Sequence, residues 1–243
     1  MIQAIIFGAI SGLSLLFGAF IGLEFNLKQK TIARFMAFGS GILVCALTFG
    51  LMEEAFNHGG FDAVILGFLL GGTVFIAGDY IIHIKGGRKH KKFQIIEAKS
   101  DSNGKVITLG ALLDGIPESI ALGISIFNGQ GQGILMLSAI VLSNFPEGVS
   151  SITGLKKEGF KKKGILLIWG IVAVLAALIT VLSFIFLHDV NPNTIGILEA
   201  FAGGAILAML ADSMIPEAYE EGGFSIAFLT LLGFLVAFII SKY

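Results

Sequence analysis

Eight stretches of this chain, roughly 2–23, 32–53, 62–84, 106–127, 131–153, 164–187, 195–216 and 224–241, are apolar over about the 20 residues that a helix needs to cross a bilayer. In lipid every backbone N–H and C=O must be bonded within the segment or across a closed barrel, so runs of this length read as helices. Only 14% of residues are charged, against about 25% in soluble domains. The expected fold is therefore an all-α polytopic membrane protein. It forms one transmembrane domain over residues 1–243, because every connection is too short for a separate soluble unit.

The basic residues orient this plan. Lys28, Lys30 and Arg34 lie around the first connection, seven more in the third (85–105), and Lys156, Lys157, Lys161, Lys162 and Lys163 in the fifth. That places 15 of the 16 on one side of an eight-span arrangement and only Lys242 on the other. The positive-inside rule then predicts a plasma-membrane protein with those loops cytoplasmic and both termini extracytoplasmic. The formal net charge of −1 offers nucleic acid nothing to bind, and the single Cys45 excludes an internal disulfide or a multi-cysteine metal cage. The first span lacks a basic leader and is too long for a signal-peptide core, so it reads as a retained helix.

Two apolar runs carry polar oxygens where lipid is expected: Asp114-Gly-Ile-Pro-Glu118 and Ser143-Asn-Phe-Pro-Glu147, offset by 29 residues. Asp114 and Glu118, and likewise Ser143 and Glu147, stand at i and i+4 and so share a helix face. Pro117 and Pro146 free the carbonyls of Leu113 and Leu142, so each helix is expected to kink or open there. An ionised carboxylate at a bilayer centre costs roughly 2.5 to 3.5 kcal/mol even on a lenient scale. Tolerated kinks are a poor explanation for that cost.

A second pattern is internal. At an offset of 163, Ala37-Phe38, Gly41, Leu47, Glu54-Ala55 and Gly59-Gly-Phe61 match Ala200-Phe201, Gly204, Leu210, Glu217-Ala218 and Gly222-Gly-Phe224. The matching spans are an odd number of crossings apart and so run in opposite directions. The expected architecture is an inverted repeat of spans 1–3 and 6–8 around spans 4 and 5, with the substrate held near the midplane at the repeat interface. Glu118 and Glu147 fall about 20 and 24 Å along their helices from opposite faces, within reach of the middle third of the core.

The remaining features read mostly as packing or solvation. Span one is rich in Gly, Ser and Ala, which suits close helix approach. Glu53 and Glu54 end span two at the outer side, with Glu54 a candidate at an ion entrance. Asp79, with Tyr80 and His83, sits near the cytoplasmic interface. Asp212 lies four residues before Pro216, a candidate exit-path ligand, whereas Glu217, Glu220 and Glu221 read as inner-surface acids. Glu199 reads as an acid in a helix's first turn, and His188-Asp-Val-Asn-Pro-Asn193 as turn chemistry.

All 16 Lys and Arg and all four His lie in loops or at span ends, so the midplane acids have no protein cation. They must be protonated, hydrated or neutralised by a bound cation. Asp114, Glu118 and Glu147 with the Asn144 amide and the Ser143 hydroxyl suit a small divalent metal as substrate, and no prosthetic group is implied.

These motifs, the eight-span plan, the long third connection and the Pro-Glu-Ala ending of span seven resemble the ZIP (Zrt-, Irt-like) divalent-metal transporters. The resemblance implies uptake of zinc, manganese, iron(II), cadmium or a related cation toward the cytoplasm. It also implies an elevator movement of spans one, four, five and six against two, three, seven and eight, and a homodimer in the lipid bilayer. The chain departs from the family at the site. Asp114-Gly115 replaces the usual His-Asn, Ser143 stands where His or Gln is common, and a span-six carboxylate is missing. An all-oxygen site favours harder ions such as manganese, iron(II) or magnesium over zinc, and the lost Asn and acid argue against two metals. Two alternatives remain: a metal-binding sensor or degenerate member that moves nothing, and, more remotely, an intramembrane hydrolase built on the paired carboxylates.

Overall fold

The computed structural model describes residues 1–25, 27–85, 104–157 and 159–242. Among them the chain is helical, without strands: α1 (Ile2–Glu24), α2 (Gln29–Ala46), α3 (Glu53–Lys85), α4 (Gly104–Asn128), α5 (Gln130–Lys157), α6 (Lys162–Phe186), α7 (Pro192–Met209), α8 (Ile215–Gly222) and α9 (Ser225–Lys242). Arg88, Lys89, His90, Lys91, Lys92 and Lys99 of the expected basic connection lie outside the described residues.

Among the described residues, seven helical stretches are long and apolar enough to cross a membrane. One of them, Gln29–Ile82, runs for 54 residues, and at 1.5 Å per residue it is more than twice the length of a bilayer core of roughly 30 Å. It is not one straight rod, because Gly60 adopts φ 64° and ψ −164°, outside the helical region. A residue with a Cβ is strained at that φ, and glycine is not.

Two pairs of backbone features stand at the sequence offset of 163. Wider π-helical segments, Leu47–Met52 and Leu210–Met214, join α2 to α3 and α7 to α8, and their first residues stand at the sequence offset of 163. Gly60 and Gly223, both near φ 65°, stand at the same offset. The second π segment ends just before Pro216, with the Ile215 N–H bonded to the Leu210 carbonyl, so the proline falls in the first turn of α8.

The helices pack as two groups, α1 with α4, α5 and α6, and α2 and α3 with α7, α8 and α9. α2 against α5 and α4 against α7 join the groups. Small residues set the closest crossings. A Cβ on Gly71 would overlap the Phe201 carbonyl and one on Gly233 the Phe38 carbonyl, and Phe38 and Phe201 are themselves a repeat pair. In α1 the buried stripe is Ala4, Gly8, Ser11, Gly12, Leu15, Gly18 and Ala19, as expected for a span that packs through small side chains. The outward face of α6 shows the opposite pattern, with Leu167, Ile171, Val174, Leu178, Leu182 and Ile185 exposed along one helical stripe. Such a face is suited to lipid.

Candidate metal site

α4 and α5 remain helical through Pro117 and Pro146, so the expected opening is confined to single freed carbonyls. The two motifs meet across this helix pair. Glu118 and Ser143 are each 2% exposed, and the Ser143 hydroxyl donates to Glu118 Oε1 at 3.1 Å. The same hydroxyl also lies 3.0 Å from the Ile140 carbonyl. Glu118 Oε2 is buried and has no hydrogen-bond partner. A buried carboxylate oxygen left in this condition is costly unless something binds it.

A cavity of about 50 Å³ lies beside it, lined by Asp114, Glu118, Ser143 and Glu147 together with Met36, Ser150, Met209, Ser213, Met214 and Glu217. No Lys, Arg or His lines it. Its volume suits an ion with one or two waters, given the 10–15 Å³ that a single water requires. The carboxyl groups act on one another: Asp79, Asp212 and Glu217 are within electrostatic reach of Asp114, and Asp114, Glu118 and Glu217 are within reach of Glu147.

The structure thus gathers Asp114, Glu118, Ser143 and Glu147. Asn144 points elsewhere: its Nδ2 donates to the Ser11 carbonyl on α1 at 3.3 Å, and its Oδ1 is buried without a partner. Asp212 is exposed and Asp79 half-buried, and neither lines the cavity. Among the described residues no three His, Cys, Asp or Glu side chains form a ready-made metal cage. The sequence did not single out Met36, Met209, Met214, Ser150 or Ser213, which reach the cavity from α2, from α7 and its π segment, and from the next turn of α5. Glu217, expected at the inner surface, is exposed yet lines the cavity as well.

Glu54 lies outside this group and takes part in a separate polar cluster with Glu199. α7 begins at Pro192, capped by Asn191, whose side chain accepts from the Thr194 N–H at 2.9 Å. Glu199 is therefore two turns into the helix rather than in its first turn, and it is 0% exposed. His58 Nδ1 lies 3.0 Å from Glu199 Oε2, and Asn128 Nδ2 donates to Glu199 Oε1 at 2.5 Å. Gln132 Nε2 donates to Glu54 Oε1, also at 2.5 Å.

Comparison with known proteins speaks to the family of the chain. The profile of a family described as ZIP zinc transporter matches residues 87–241, more than half of the chain. An Arabidopsis thaliana protein named as a candidate zinc transporter is 24% identical over 206 residues, covering 83% of this chain. The matched region is 32% of that relative's length, so the chain spans about a third of it. An all-helical chain with paired Pro-Glu helices around an acidic cavity, matched over most of its second half and more, belongs to the ZIP zinc transporter family.

Proposed function

We propose that this chain carries a divalent metal cation across the plasma membrane toward the cytoplasm, by way of the cavity between α4 and α5. The observation that supports this reading best is the unpartnered, buried Glu118 Oε2 in a cavity shared with Asp114, Glu147 and Ser143 and lined by no cationic side chain. A divalent ion there neutralises carboxylates that lipid would otherwise penalise. Asp114, Glu118, Ser143 and Glu147 supply the ligands, with Asn144 a reserve donor if α5 rotates. Glu217 continues the acidic lining, and Asp212 and Asp79 form the path toward the basic end. Glu54 marks the opposite mouth.

The mechanism that suits this packing is movement of α1, α4, α5 and α6 against α2, α3 and α7–α9. Eight crossings in an inverted repeat would place the cavity near the midplane, a reading supported by the paired π segments and the paired glycines. Oxygen ligands favour manganese, iron(II) or magnesium, while the three methionines add soft donors that suit zinc and cadmium. We further propose that a second copy completes a homodimer and that both termini are extracytoplasmic.

The replacement of the usual His-Asn by Asp114-Gly115 and the missing span-six carboxylate favour a second reading, a metal-binding member that does not transport. Uptake of manganese, iron(II), zinc, cadmium and magnesium into proteoliposomes separates the two. Transport predicts accumulation of at least one of these ions above protein-free vesicles. The sensor reading predicts binding without accumulation.

A further inference from the structure

The polar cluster around Glu199 plays no part in holding metal at the cavity, yet it joins the two helix groups. Asn128 closes α4 and Gln132 lies in the first turn of α5, with Gly129 at φ 148° making the turn between them. Both amides therefore belong to the hairpin that carries the two Pro-Glu motifs. Their acceptors belong to the other group, Glu199 to α7 and Glu54 to α3. We propose that Asn128 and Gln132 form a latch on Glu199 and Glu54, one that holds this mouth between the two groups shut and releases the α4–α5 hairpin when these bonds give way.

The chemistry suits a latch. An amide N–H donating to a carboxylate makes a charge-assisted bond, roughly twice as strong as a neutral one. Glu199 is fully buried with both oxygens occupied, Oε1 by Asn128 and Oε2 by His58. His58 thus acts as a positioning residue that fixes the carboxylate facing the hairpin. Glu54 is half-buried and lies within electrostatic reach of Glu199. If the hairpin withdrew, the two acids would lose both amide donors and Glu199 would keep only His58, so the closed arrangement is favoured. One helical turn below Asn128, Ser125 is 0% exposed. Its rate of modification therefore reports how far this end of α4 opens to solvent.

The purpose of the latch rests on the transport reading, but its test does not. In a Cys45→Ala, Ser125→Cys background, purified protein in detergent is treated with N-ethylmaleimide and the rate of modification at position 125 is followed by mass spectrometry. The latch predicts that Asn128→Ala with Gln132→Ala speeds modification about tenfold or more. Gln132→Glu, which sets two carboxylates face to face, should do the same. Adding Glu54→Gln to Gln132→Glu exchanges donor and acceptor, re-forms the bond and should return the rate to within about twofold of the parent. A misfolded variant would not be rescued in this way. Modification at the parent rate in the double alanine variant, or no rescue by the exchanged pair, overturns the latch. Protein that behaves as expected here but moves no metal would contradict the transport reading and leave the latch standing.

Discussion

The Ser143 hydroxyl on α5 donates to Oε1 of Glu118 on α4 at 3.1 Å, binding the two Pro-Glu motifs to each other inside a cavity that has no basic side chain. The bond fixes one oxygen of the carboxylate and leaves the other, Oε2, buried without a partner. Ser143→Ala removes this orientation while leaving the charge in place. The expected result is a rise in KM for metal uptake of about tenfold to a hundredfold with a smaller change in kcat, the scale of losing one hydrogen bond to a charged group. Radiotracer or fluorescence uptake in proteoliposomes checks it.

Glu217 lines the cavity, whereas its neighbours Glu220 and Glu221 are exposed and do not. Glu217→Gln should therefore lower uptake several-fold, and Glu220→Gln with Glu221→Gln should leave it within about twofold, because solvated surface charges contribute little. Initial uptake rates of the two variants and the parent, normalised to protein content, make the comparison.

Met36, Met209 and Met214 bring thioethers to the same space. Replacing all three by Leu keeps the volume close to native and removes the soft donors. The expected outcome is a fall of several-fold in cadmium uptake relative to manganese, read as a competition between the two ions. An unchanged ratio would mean that the methionines serve only as packing.

α1 and α5 cross where Gly18 and Gly148 face each other's backbone: a Cβ on Gly148 would overlap the Leu15 carbonyl, and one on Gly18 the Phe145 carbonyl. Gly148→Ala should destabilise the protein by about 1–3 kcal/mol, the usual cost of overpacking a tight contact. Thermal unfolding in detergent, followed by size-exclusion chromatography, should show a lower Tm. Gly115→Ala, where a Cβ would meet open space, is the control and should leave Tm near the parent value.

The helical fold and the family were legible because both leave local marks, long apolar runs in one case and Pro-Glu pairs with their spacing in the other. The offset of 163 was legible as residue identities and returns as the paired Leu47 and Leu210 bulges and the paired Gly60 and Gly223 turns. Asn144 lies apart from the cavity for a reason the sequence contains. One residue beyond Ser143 is about 100° around the helix, so the two side chains cannot share a face, and Asn144 turns to α1. The methionines, and the approach of His58 to Glu199 across 141 positions, depend on which helices pack side by side. No local spacing reports that.

Proteoliposome uptake by wild type, Glu118→Gln and Glu147→Gln, each folded to the same degree by size-exclusion chromatography, tests the central claim most directly. The carboxylate site predicts uptake of a divalent ion by the wild type and a loss of about a hundredfold or more in both variants, since each removes a charged ligand in a low-dielectric cavity. Uptake that persists in either variant near the wild-type rate would contradict the site, and no uptake by the wild type for any of the five ions would contradict transport itself.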